Sequence, residues 1–162
     1  MKGVCFLDID GVCNSARYFR ERDKTVPEDP VFWRRLHDLD PSSVPLLNAL
    51  AAYDFVLSSS WRHIVEVHEM EALLRKRGFQ GHLVGRTPFG SEMDSEKTIE
   101  HEIRGHEIQD YLNRHPYDRF VILDDSDDMA HLLPWLVRTT WEDGLMPEHV
   151  TRALRMLETR AT

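Results

Sequence analysis

The chain has 162 residues, the length of one domain, and long enough to bury a core without a disulfide or a structural metal. Hydrophobic residues make up 41% and charged residues 30%, which excludes disordered and fibrous classes. With 20 Lys and Arg against 28 Asp and Glu the net charge is -8. That excludes broad, sequence-blind binding to duplex DNA, which wants a basic face, but not capture of one phosphate end by a few focused cations.

In chain order, the first predicted element is a strand over 4–7, a continuous apolar run that enters Asp8-Ile9-Asp10-Gly11. Cys5 lies inside this run as a small core residue. Cys5 and Cys13 together make neither a disulfide framework nor a zinc site. The segment 14–40 is charged and aromatic, with Arg17, Tyr18, Phe19, Arg20, Phe32 and Trp33, and reads as an insertion over the mouth of a sheet. A helix is predicted over 43–53, from Val44, Leu46, Leu47, Leu50 and Ala51. The run 55–57 is a second strand and ends in Ser58-Ser59-Ser60. A helix over 61–77 follows, carried by Ile64, Val67, Met70, Leu73 and Leu74.

A strand over 82–85 comes next, then a long polar stretch, 86–104, read as a second insertion. Residues 105–115 have the helical spacing of Ile108, Tyr111 and Leu112. The run 120–123 is a strand that ends in Asp124-Asp125-Ser126-Asp127-Asp128. A last strand over 135–139 and a helix over 147–159 complete the order, with Pro147 suited to a first helical turn. Continuous apolar runs alternating with helices predict an α/β domain with a mainly parallel sheet, its strands buried on both faces. No apolar stretch approaches the ~18 residues of a membrane span. The two thiols, which make no disulfide framework, give a reducing cytoplasm as the expected compartment, and the start of the chain has the wrong flanks and length for a signal peptide.

Ligands of open α/β sheets bind beyond the carboxyl ends of the strands, and three runs here end in carboxylates or hydroxyls on that rim. Asp8 and Asp10 are two apart, which suits one nucleophile and one general acid/base. An EF-hand loop counted from Asp8 fails, because Cys13 and Phe19 stand at its sixth and twelfth positions. Asp124 and Asp125 supply clustered oxygen ligands for a hard cation such as Mg²⁺. Ser58 to Ser60 before a helix suit an anion or a helix cap, and Arg62 offers a planar fork for phosphate oxygens on the opposite lip. Arg104 opens a helix from which a cation would offset nucleophile and phosphate charge.

In this order the residues resemble the haloacid dehalogenase (HAD) superfamily of phosphotransferases. Phe6-Leu7-Asp8-Ile9-Asp10-Gly11-Val12 is similar to its first motif, Val56-Leu57-Ser58-Ser59 to its second, Arg104 to its third and Val121-Ile122-Leu123-Asp124-Asp125 to its fourth. The Ser-Ser-Trp-Arg stretch, the Arg-Gly-x-Glu-Ile helix start and Gly144-Leu145 before a helix resemble the HAD domains of bacterial and phage nucleic-acid end-repair proteins. The resemblance implies a Rossmann-like three-layer sandwich with only small cap insertions, one domain over 1–162. It implies a Mg²⁺-dependent phosphomonoesterase that removes terminal phosphates from polynucleotides. Asp8 would form an aspartyl-phosphate, and Asp10 would protonate the leaving oxygen and then activate water. Ser58, or Ser59 behind it, would hold a phosphate oxygen, and Arg104, where Lys is commoner, would stabilise the phosphorylated state. Asp125 would complete the metal site with Asp8 and the backbone carbonyl of Asp10, and Asp124 is its alternative or partner. Arg17 and Arg62 are further substrate-binding candidates, and a kinase or ligase is an expected partner. The competing readings are a small-molecule nucleotidase and a catalytically silent HAD-like binding domain.

Overall fold

The computed structural model describes residues 2–25, 31–89 and 103–159. Five strands form one sheet: β1 (Gly3–Leu7), β2 (Asp54–Leu57), β3 (His82–Arg86), β4 (Arg119–Asp124) and β5 (Leu136–Arg138). Their spatial order is β3-β2-β1-β4-β5 and every pairing is parallel. β1 is central, with Cys5 beside Phe55 on one flank and Val121 on the other.

Alternate side chains leave opposite faces of a strand, and the core divides accordingly. Cys5, Leu7, Phe55, Leu57, Val121, Leu123 and Val137 belong to one apolar cluster. Val4, Phe6, Val56, Ile122 and Leu136 belong to the other. Helices α3 (Val67–Lys76) and α5 (Pro147–Glu158) cover the first face with Met70, Leu73, Leu74, Val150, Ala153 and Leu157. Helix α4 (Ile103–Arg114) and the 3₁₀ helix Ala130–Trp135 cover the second with Ile108, Tyr111 and Leu132. Two covered faces explain why these strands read as unbroken apolar runs, and the result is a three-layer, Rossmann-like sandwich.

Two local expectations are corrected. The 43–53 element is a 3₁₀ helix, Val44–Leu50, with Pro45 in its first turn; Val44, Leu47 and Leu50 point inward at the three-residue period of that helix. The 61–77 helix is two elements, a 3₁₀ turn Ser60–His63 and then α3. Ser59 caps the turn, and a Glu66–Glu69 capping box starts the new helix. The segment read as the first insertion, 14–40, has helical structure of its own. It carries the short helices α1 (Ala16–Glu21) and α2 (Val31–His37), and Ser15 caps α1 by accepting from the Tyr18 amide at 3.1 Å. Most of the second expected insertion, 90–102, lies outside the described residues. No described helix is long and apolar enough to cross a membrane.

Candidate active site

The order of the strands reverses between β1 and β4, and the carboxyl ends of these two strands carry Asp8 and Asp124. Such a switch point is where an open α/β sheet leaves a crevice. The ladder continues past the strand ends and fixes the rim. The Asp8 amide donates to Leu123 O at 3.0 Å, the Ser58 amide to Leu7 O at 2.8 Å, and the Thr139 amide to Asp124 O at 3.0 Å.

Asp8, Asp124 and Asp125 each offer a carboxylate oxygen, and these oxygens lie within 4.8 Å of one another. Asp8 and Asp124 are buried and Asp125 is half-buried. Burial raises the Asp8 pKa to about 6, against the Arg104 guanidinium, the Ser59 hydroxyl and the Ile9 amide, which favour its charge. Asp124 is held well above the ordinary carboxylate range by burial and by the charge of Asp8, and burial raises Asp125 as well. Three carboxylates gathered out of water resist ionisation together. A hard cation with oxygen ligands relieves that cost.

Two further features fit such an ion. Asp124 Oδ1 accepts from the Ser126 amide at 2.9 Å, while its buried Oδ2 has no hydrogen-bond partner among the described residues. Gly11 has a φ of +78°, and a Cβ there would stand 2.3 Å from Asp125 Oδ2. Glycine therefore permits both the turn and the close seat of Asp125. Asp127 and Asp128 lie outside the trio: Asp127 pairs with Arg138 at 3.1 Å, and Asp128 accepts from Ser126 Oγ at 2.8 Å.

Cations and hydroxyls complete the rim. Arg104, in the first turn of α4, has Nε 3.7 Å from Asp124 Oδ2, and its buried Nη1 has no hydrogen-bond partner among the described residues. Burial works against its charge, but Asp124 and Asp8 outweigh burial and raise its pKa. The N-terminus of α4 reaches this position because residue 105 is glycine. The Gly105 amide donates to Asp128 O at 2.9 Å, and a Cβ there would lie 2.1 Å from Met129 O. The serines divide their tasks. Ser59 Oγ accepts from the Trp61 amide at 3.3 Å and supports the Asp8 charge. Ser58 Oγ is buried at the strand end with no hydrogen-bond partner among the described residues.

A family model described as the HAD domain in Swiss Army Knife RNA repair proteins matches residues 4–150. The chain belongs to this family. Comparisons with curated proteins and with solved structures give no match.

Within this HAD domain Asp10 has surroundings of its own. Its Oδ1 accepts from Asn14 Nδ2 at 2.9 Å and from Trp61 Nε1 at 3.1 Å. Asn14 is fully buried, and its Oδ1 accepts from the Gly11 amide at 3.0 Å. One side chain thus ties the Asp10 carboxylate to the turn that carries it. The carboxylate of Asp10 is not part of the trio.

Arg62 is not on a lip. It is buried beneath one, where Nη2 donates to both Glu107 oxygens at 2.8 Å and Nη1 to Ser59 O at 2.9 Å. Glu107 stands three residues after Arg104, on the same face of α4, so the pair links the β2 end to the helix that brings Arg104. Arg17 turns toward the 141–146 segment, donating to Asp143 O at 3.1 Å. Sequence reasoning did not assign roles to Asn14, Trp61, Gly105 and Glu107. The signals for three of them were present as neighbours of motif residues: Trp61 after the serines, and Gly105 and Glu107 after Arg104. Asn14 gave no signal beyond its place four residues after Asp10.

Proposed function

We propose that this HAD domain is a Mg²⁺-dependent phosphatase that removes a terminal phosphate from RNA or another polynucleotide. The observation that carries this reading is the arrangement of the acids: Asp8 lies within one trio with Asp124 and Asp125, while Asp10 is held apart by Asn14 and Trp61. Asp8, Asp124 and Asp125 would hold the cation, which when bound neutralises phosphate charge and keeps Asp8 ionised.

An Asp8 oxygen attacks phosphorus, the bond to the leaving oxygen breaks, and Asp10 gives that oxygen its proton. The product is the freed hydroxyl end and an aspartyl-phosphate. Asp10, now a carboxylate, takes a proton from water. The water oxygen attacks phosphorus, the bond to Asp8 breaks, and inorganic phosphate leaves. The Ser58 hydroxyl and the Arg104 guanidinium would donate to phosphoryl oxygens, where negative charge shifts during transfer. Arg62 fixes the floor through Glu107 and does not grip the substrate directly. Arg17, facing the opposite segment, is a candidate contact for the polynucleotide beyond its terminal phosphate.

The polynucleotide substrate is supported by the RNA-repair description of the family. The test is phosphate release from short RNAs with a 3′- or 5′-terminal phosphate, from mononucleotides and from a synthetic phosphoester, with Mg²⁺ and with chelator. The reading expects Mg²⁺-dependent release with a terminally phosphorylated RNA as the best substrate. A preference for mononucleotides would move the assignment to a nucleotidase. No release from any phosphoester would leave a silent HAD-like domain.

A further inference from the structure

Four aromatic and basic residues of the 14–40 segment, Tyr18, Phe19, Arg20 and Arg22, are engaged with their own surroundings. Arg20 pairs with Glu142, and Arg22 pairs with Asp38 and lies over the Phe19 ring. Tyr18 donates to His37 O at 2.7 Å, and Phe19 packs near Trp141.

A different aromatic surface stands at the carboxyl ends of β2 and β3. The rings of His63 and Phe89 stack with centroids 4.5 Å apart and planes 20° from parallel. His63 is exposed, and Phe89 keeps 53% of its surface in water. The guanidinium carbons of Arg86 and Arg62 lie 5.1 and 5.5 Å from the Phe89 ring centre. The segment is anchored. The Thr87 amide donates to Leu57 O at 3.0 Å, and Arg86 Nη1 donates to Arg62 O at 3.1 Å. Glu66 partly offsets Arg86, with Oε2 3.5 Å from Nη1. The surface adjoins the rim, since Arg62 below it pairs with Glu107 on the face of α4 that carries Arg104.

We infer that His63 and Phe89 form a stacking platform for the base of the nucleotide that bears the terminal phosphate. The inference rests on the phosphatase reading of the neighbouring rim and names how that rim selects its substrate. A large exposed aromatic normally gains by burial. This one instead stays in water two residues after Thr87, whose amide is tied to the β2 end, and beside Arg86, a half-buried cation suited to the phosphates of the same strand. Every base has a π face, so the platform accepts any base. It needs that base unstacked, so it selects single-stranded ends over blunt duplex ends.

Two measurements test it. In the first, kcat/KM is determined for a short single-stranded RNA with a terminal phosphate, and for the same RNA lacking only the terminal base. The expected result is about a tenfold preference for the intact RNA, expressed in KM, which is the size of one aromatic–base stack. Phe89→Ala abolishes the preference and Phe89→Trp retains it. The exposed aromatic Trp135 precedes β5 on the opposite rim, and Trp135→Ala is the control that keeps the preference. In the second, the fluorescence of a terminal 2-aminopurine in the same RNA is followed on binding to Asp8→Asn protein, a readout that needs no turnover. Quenching that is lost with added Phe89→Ala is expected. Quenching unchanged by Phe89→Ala, or equal KM for intact and base-free RNA, overturns the platform. If no phosphoester is hydrolysed but Phe89-dependent quenching persists, the phosphatase reading fails and the platform stands.

Discussion

Asp8 and Asp10 are separated by one residue yet meet different environments, and the roles proposed for them rest on that difference. Asp8 is buried within the acidic trio, with Ser59 and the Ile9 amide supporting its charge. Asp10 is gripped at one oxygen by two donors, which fixes the direction of the other. Asp8→Asn is therefore expected to lower turnover by at least a thousandfold while leaving the thermal melt of the Mg²⁺-free protein no lower, since an amide removes one of three crowded charges. Phosphate release and a melting curve on the same sample check this. Trp61→Phe keeps the ring buried and removes one donor to Asp10. Its kcat should fall roughly tenfold, a typical cost of one lost charge-assisted hydrogen bond at ~1.5 kcal/mol, for a substrate with an alkoxide leaving group. For a nitrophenyl ester, whose leaving group needs little proton donation, it should change much less. Equal losses on both substrates would show that Trp61 acts on packing rather than through the acid. The acids themselves were legible in the sequence because each follows directly on a buried apolar run. Asn14 and Trp61 were not, because their role depends on a turn and a helix meeting in space.

At the scale of elements, α4 and the β4 end meet across a contact that admits no side chain at residue 105. Gly105→Ala must push the helix start away from Met129 O, carrying Arg104 off Asp124 and Glu107 off Arg62. The expected outcome is a loss of roughly 2 kcal/mol in stability, as for other steric insertions into packed sites, together with a fall in kcat. Gly78→Ala meets no close atom, its nearest neighbour being Pro45 Cγ at 3.5 Å, but its φ of +95° makes a side chain strained there, so it should cost stability while leaving kcat unchanged. Denaturant melts and turnover of the two variants decide the matter. The same elements show where sequence reasoning stops. All five strands were readable, since two covered faces leave a continuous apolar signature. The helix over 61–77 was not resolved into its two parts, because the apolar spacing carries on across the break at Ile64 to Glu66. The break comes from capping by Ser59 and Glu66, which periodicity does not register. Arg62 was read as a free fork for the same reason, since its partner Glu107 comes from an element distant in sequence.

For the whole molecule, the sheet order concentrates acid at one end of a chain that is acidic throughout. The raised carboxylates give this a sign. An unfolded Asp titrates near 3.9 and Asp8 in the fold near about 6. Between these values the folded state holds a proton that the unfolded state has released. The resulting stability is complete below about pH 4 and is lost as pH rises through about 6. Asp124 adds in the same direction. The metal-free protein should thus lose more melting temperature between pH 5 and 7.5 than Asp124→Asn does. Mg²⁺ should restore the wild type at pH 7.5 by binding the folded state alone. A wild-type pH profile no steeper than that of Asp124→Asn would remove the crowded trio from the account. The central claim is that this trio serves a nucleophile. Its most direct test is acid quenching of a reaction with phosphorylated RNA and Mg²⁺, followed by peptide mass spectrometry. The account expects a phosphoryl group on Asp8, absent with chelator and accumulating in Asp10→Asn if water activation is the slower step. Turnover at the wild-type rate by Asp8→Asn, or a phosphoryl group on any other residue, would contradict it.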